Sequence, residues 1–174
     1  MFKELNIMKL FFESPTREFN VREIARILKI SPATASKELK MLEKKGLLKS
    51  KTQKTFNFYK ADMENDSYRD LKMYYNIRKI KDSGMIESLN KFYLKPTIVM
   101  FGSCVYGTDT ETSDFDILII SEKTAEFKES KTFEKRLNRS IQIFAVNDIK
   151  QMKNGHLINN ILNGITIQGL IKWT

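Results

Sequence analysis

Cysteine is almost absent from these 174 residues, with Cys104 alone, and proline and histidine are nearly so, with three and one. A single cysteine excludes an internal disulfide framework and fits a reducing cytoplasm. One histidine, His156, with no cysteine or carboxylate cluster around it, argues against a zinc centre and reads as structural or exposed. The longest apolar runs, Thr97 to Phe101 and Ile117 to Ile120, fall far short of the roughly 20 residues a membrane helix needs. The opening Met1-Phe2-Lys3-Glu4-Leu5 lacks the charged-then-apolar layout of a secretion signal. A cytoplasmic chain without a membrane partner is therefore expected.

Charge is abundant, but not evenly placed. The formal net charge is +9, and residues 1–60 carry 14 Lys/Arg against 6 Asp/Glu, whereas residues 96–174 carry 9 of each. An excess concentrated on the first third favours an anionic polymer as its partner. The plainer alternative is a set of solvated lysines.

Periodicity divides the chain into an α+β arrangement of two small domains. A helix over Lys3 to Glu13 carries Leu5, Met8 and Phe12 on one face. Ser14-Pro15-Thr16 ends it, and Arg17 to Phe19 reads as a short strand. Asn20 and Glu23 form a capping-box pattern for a helix with Val21, Ile24, Ile27 and Leu28 inward. Ser31 caps a further helix with Pro32 at its first position, closed by Gly46 as a left-handed stop. Two strands, Leu47 to Ser50 and Thr55 to Lys60, flank a basic tip at Lys51-Thr52-Gln53-Lys54. A linker helix from Asp66 to Lys81 bears Leu71, Tyr74, Ile77 and Ile80. Beyond Ser83-Gly84 the pattern alternates: helix 85–94, strand 97–101, strand 115–120, helix 123–136, strand 141–146, a helix from Asp148 and a short strand 165–168. The expected division is 1–62, linker helix 63–82 and 83–174.

The stretch from Ser31 through Lys37-Glu-Leu-Lys40 to Gly46-Leu-Leu48 resembles the recognition helix and wing entry of winged-helix transcription regulators. Helical geometry agrees: Ala35, Leu39 and Leu42 share the core face, while Ala33, Lys37, Lys40 and Lys44 form another stripe, with Thr34 and Ser36 at its leading end. Small and hydrogen-bonding residues there can approach base edges, and cations further along can meet phosphates. The resemblance implies double-stranded DNA as partner, with Lys51 and Lys54 of the wing reaching the backbone or minor groove. An amphipathic packing helix, or a winged helix used for protein contacts, is the alternative. No arginine fork for guanine is present, so no operator sequence can be read.

Val99-Met-Phe-Gly102-Ser103, ten residues, then Asp114-Phe115-Asp116 carries the chemistry. Strand alternation puts Asp114 and Asp116 on one side and Phe115 on the other. Two converging carboxylates suit Mg²⁺, which shares hard oxygen ligands with substrate phosphates. Gly102 allows close approach to a phosphate, and Ser103 adds a hydroxyl and amides at a helix start. This pattern resembles the nucleotidyltransferase superfamily of polymerase-beta type, in particular its minimal members from toxin–antitoxin pairs. The resemblance, over about residues 85–146, implies a small α/β domain with a mixed sheet, binding Mg²⁺ with a nucleoside triphosphate at Gly102, Ser103, Asp114 and Asp116. It also admits a partner protein such as a toxin, and a homodimer.

Two departures limit what is implied. Active members usually carry a third carboxylate on a later strand as metal ligand and base, and the resemblance puts Gln142 where that acid would be. An amide takes no proton and ligates Mg²⁺ poorly. Asp148 is nearby but is expected to cap the next helix. Where many members have an arginine after Gly-Ser, this chain has Cys104-Val105-Tyr106. Cys104 has no neighbouring base and is not expected to act as a nucleophile. Trp173 and the Phe-rich first helix are expected in the core or in partner contacts. Two functions remain: a regulator with a degenerate nucleotidyltransferase-like domain that binds Mg-nucleotide or a protein, or a working enzyme moving a nucleoside monophosphate to a protein or small molecule, with DNA binding for autoregulation.

Overall fold

Local signals account for most elements of the structure, a computed structural model that describes residues 2–53 and 55–172, with side-chain surroundings from residue 6 onward. Lys54, Trp173 and the Leu5 side chain lie outside the described residues. The chain divides into two compact units, residues 1–72 and 73–174.

The first unit opens with α1 (Phe2–Glu13), β1 (Phe19–Asn20), α2 (Val21–Leu28) and α3 (Pro32–Lys44), followed by β2 (Leu48–Gln53) and β3 (Phe56–Ala61). The strands form an antiparallel sheet in the order β1-β3-β2. At the start of α2 the Glu23 amide donates to Asn20 Oδ1 at 2.9 Å, but the Glu23 carboxylate turns to Arg17, so the reciprocal half of the capping box is not made. Ser31 Oγ accepts from the Thr34 amide at 3.0 Å, as a cap should. At the far end of α3, Gly46 has φ +73°, and the amides of Gly46 and Leu47 reach back to the carbonyls of Glu43 and Leu42. That paired back-bonding needs a left-handed residue, which glycine supplies without Cβ strain.

Ala35, Leu39 and Leu42 are buried, with Met8, Phe11, Phe12 and Phe19. The inward face of α2 differs from expectation: Ile24 and Ala25 are buried, whereas Ile27 is 42% exposed. At about 100° per residue Val21, Ile24 and Leu28 share one stripe, while Ile27 falls about 120° away from Val21, at the edge of that stripe and toward solvent. The first hairpin strand runs further than expected, through Gln53, because cross-strand pairs continue to Gln53↔Phe56, while the second starts one residue later, at Phe56, and ends at Ala61. Lys51 therefore lies within β2 and not at the tip.

Helix α4 (Asp66–Asp82) buries a face that overlaps the apolar positions only in part, keeping Ile80 and packing Ile77 against the core. Tyr68, Asn76 and Ile80 are buried, while Tyr74 is 55% exposed. Hydrogen bonds decide this: the Tyr68 hydroxyl donates to the Phe11 carbonyl at 2.9 Å, and the Asn76 amide has buried acceptors of its own.

The second unit continues with α5 (Met85–Tyr93), β4 (Thr97–Phe101), a 3₁₀ turn Gly102–Val105, β5 (Phe115–Ile120), α6 (Ser130–Leu137), β6 (Ile141–Val146), a 3₁₀ turn Ile149–Gln151, α7 (Gly155–Leu162) and β7 (Ile165–Gln168). The sheet is mixed, in the order β6-β5-β4-β7, with only β5 and β6 parallel. Helices cover both faces. Ile117 and Ile119 of β5 pack with Met85, Leu89, Phe133 and Leu137, and Val99 and Leu118 pack with Ile149 and Ile161.

Two helices are shorter than their patterns suggest. Residues 123–129 are not helical, and α6 begins only at Ser130. The Ala125 carbonyl accepts from the Tyr93 hydroxyl at 2.8 Å and Phe127 is buried, so tertiary contacts claim what a helix would need. After β6, Asp148 caps a single 3₁₀ turn through the Lys150 amide at 2.9 Å, and Asn154 starts α7 afresh through the Leu157 amide at 3.1 Å.

Candidate functional site

Asp114 and Asp116 sit at the leading end of β5, on the side that carries Leu118 further along. Register places Asp116 opposite Phe101, the last residue of β4, and opposite Gln142 on β6. The three strands thus bring Gly102, Asp116 and Gln142 together, although the first and last of these lie far apart in the sequence.

Gly102 has φ +75°, and a Cβ built on it would lie 2.3 Å from Asp116 Oδ2. The carboxylate therefore rests on the bare glycine backbone, and any larger residue would evict it as well as strain the turn. The next residues turn tightly, with the Tyr106 and Thr108 amides both donating to the Ser103 carbonyl at 3.2 Å.

Asp114 is held differently. Its Oδ2 accepts from Gln142 Nε2 at 2.9 Å, and its carbonyl accepts from the Cys104 thiol at 3.2 Å. An ionised carboxylate only accepts, so the amide presents its N–H there. Cys104 is buried, and its thiol acts as a strut under the loop, with Arg139 Nη1 3.6 Å from the sulfur.

Burial raises the Asp116 pKa above its ordinary carboxylate range, and the charge of Asp114 adds to that rise. A cation between the two groups relieves both costs, so the pair fits Mg²⁺ chemically. Two carboxylates are what the site offers: among the described residues no group of three His, Cys, Asp or Glu is placed to hold a metal. Asp148, tied to its own cap, does not complete the set.

In the ligand-free protein this electrostatic cost is measurable. With its pKa raised by folding, Asp116 contributes stability that is fully present below the ordinary aspartate pKa and lost as pH rises through the raised value. Asp116→Asn removes that loss. Thermal melts at pH 7 without nucleotide should show the variant a few degrees more stable, with the difference closing as pH falls below the ordinary range. A variant less stable at pH 7 would refute the electrostatic account.

Sequence reasoning missed the residues that hold the loop from behind. Asn76, Asp109 and Arg139 are buried or nearly so and bonded to one another or to loop carbonyls. The one available signal was an asparagine amid the apolar positions of α4, which a polar contact explains better than the helix pattern does.

In the first unit, Ala33, Thr34, Lys37, Lys40 and Lys44 are exposed along α3, and Ser36 is half-buried. The Thr34 hydroxyl lies 2.8 Å from Ser31 Oγ, so it shares in the cap. Lys51 pairs with Glu18, which offsets its charge. Lys54 lies outside the described residues.

Comparison with known families agrees with this geometry. Residues 83–163 match the family model of the nucleotidyltransferase domain, covering the Gly-Ser turn, both carboxylates and Gln142. Residues 3–50 match that of the bacterial regulatory proteins of the arsR family, which spans α1 to the start of β2. The chain thus joins an arsR-type helix-turn-helix to a nucleotidyltransferase domain. No curated protein matches it. Among the described residues no helix is long and apolar enough to cross a membrane.

Proposed function

We propose that this chain is a DNA-binding transcription regulator whose nucleotidyltransferase domain holds a Mg-nucleotide without efficient turnover. The observation that carries the reading is the Gln142–Asp114 hydrogen bond. A neutral amide occupies the place from which a base would act and uses an N–H to satisfy one of the two carboxylates. Asp114 and Asp116 would hold the metal, and Gly102 and Ser103 would face the phosphates. The chemistry such an ion would supply there is neutralisation of triphosphate charge. The protein's own residues would bind and orient the nucleotide, but among the described residues no third carboxylate or histidine groups with the pair to take a proton from an attacking hydroxyl. The alternative, an active transferase, draws on the same convergence of Gly102 and Asp116 and requires a base from elsewhere.

For the DNA-binding unit, the exposed stripe on α3 supports groove entry. Its lysines neutralise phosphates and release counterions, so log K should fall linearly with log salt. Replacing Lys37, Lys40 and Lys44 with glutamine should reduce that slope by about one for each phosphate left without its lysine. Lys51→Gln should change it less, because Glu18 already pairs with that ammonium. Fluorescence anisotropy of a labelled duplex across a salt series measures this. An unchanged slope in the triple variant would place the DNA surface elsewhere.

A further inference from the structure

Behind the two carboxylates lies a buried charge pair that the proposed chemistry does not use. Arg139 Nη1 is 2.6 Å from Asp109 Oδ2, with the two side chains 5% and 0% exposed. Arg139 Nη2 donates to the Thr110 carbonyl at 2.8 Å, and the guanidinium lies over the Phe115 ring, 4.9 Å from its centroid. The other Asp109 oxygen accepts from Asn76 Nδ2 at 2.8 Å, and that amide also donates to the Cys104 carbonyl at 3.1 Å.

These contacts share a destination. Each ends on the segment between β4 and β5, or on Phe115 at its close. Burying two charges is expensive, and well-packed apolar residues in their place are often neutral or stabilising. Fold stability alone therefore gives little reason for the pair. Geometry gives a better one, because Arg139 just precedes β6, three residues before Gln142. One strand entrance thus grips the loop twice, through Arg139 at Asp109 and Thr110, and through Gln142 at Asp114. From the other side Asn76 fixes both Asp109 and the Cys104 carbonyl, and the Cys104 thiol in turn holds the Asp114 carbonyl.

We infer that Asn76, Asp109 and Arg139 are positioning residues, which set the β4–β5 loop so that Asp114 and Asp116 converge before a nucleotide arrives. The inference rests on the reading of those carboxylates as the Mg-nucleotide site. A side chain that orients a ligand from behind is typically worth about 10- to 100-fold in metal affinity.

The test uses the full chain and ATP with Mg²⁺ as the probe, with Kd read by calorimetry and folding by near-ultraviolet circular dichroism and melting. The double variant Asp109→Leu, Arg139→Met replaces the pair with apolar groups of similar size and removes both of its charges together. Its affinity should fall about 10- to 100-fold while its spectrum stays native. Arg139→Lys keeps a charge for Asp109 but lacks the fork that also reaches Thr110, so its affinity should fall to an intermediate degree. Should the double variant not fold, Arg139→Lys decides alone. A folded variant of either kind that binds as tightly as the parent would overturn the inference and leave the site reading intact. A parent chain that binds no ATP–Mg²⁺ would overturn the site reading first, and the inference with it.

Discussion

Gln142→Asp should raise nucleotidyl transfer about 10²- to 10⁴-fold over the parent chain, the range that a positioned general base supplies. Gln142 faces Asp116 in the parallel register and already reaches Asp114 through its side chain, so the position is geometrically right and chemically wrong. A carboxylate there adds both a ligand and a proton acceptor. It also adds a third negative charge beside an Asp116 whose ionisation burial and Asp114 already oppose. The gain should therefore depend steeply on Mg²⁺, and the variant should melt lower than the parent without it. Incorporation of label from an α-labelled triphosphate, with and without the products of neighbouring genes as acceptors, measures the rate. Robust transfer by the parent chain, abolished in Asp114→Asn, would sink the degenerate reading. The base would then come from the substrate or from Asp148, which would have to leave the Lys150 amide it now caps.

Asp114→Asn combined with Asp116→Asn should abolish the thermal stabilisation expected of the parent with a triphosphate and Mg²⁺. Binding to the folded state alone stabilises by mass action, about 2.7 kcal/mol at a ligand concentration 100 times Kd. In a unit of about a hundred residues that is a shift of several degrees or more. Neutral amides offer Mg²⁺ weaker oxygen ligands and no charge, so the double variant should melt at one temperature with or without ligand. Its unliganded melting point should not fall below that of the parent, because the Asp116 change removes a charge that folding disfavours. Loss of the ligand shift together with an intact ligand-free fold separates a binding defect from a folding one. A shift as large as the parent's would move the nucleotide site away from β5.

The elements that could be read directly were those governed by local chemistry. Asn20, Ser31 and Gly46 mark helix ends because a side-chain oxygen or a left-handed backbone satisfies groups within a few residues. Strands 97–101, 115–120 and 141–146 could be read because apolar runs of that length suit a sheet covered on both faces. The misreadings have two origins. Helix 123–136 gave up its first turns to the Tyr93–Ala125 bond, α4 turned its buried face toward Asn76, and Ile27 of α2 remained exposed. In the first two a partner distant in sequence outweighed an apolar period, and in the third Ile27 lies off the stripe that Val21, Ile24 and Leu28 share.

By itself, the sequence determined the order of elements, the two-unit composition, the basic stripe on α3 and the presence of a Gly-Ser turn followed by two carboxylates. Each depends on short-range spacing, where covalent geometry limits the options. Only the tertiary structure decided what those carboxylates face. Strand register set Asp116 against Gly102 and Gln142, the side-chain amide of Gln142 engaged Asp114, and Arg139 and Asn76 closed on Asp109 beneath the loop. Pairing between strands is fixed by burial of the whole sheet, not by any one strand's residues, and so the surroundings of the site emerge only when the sheet is assembled.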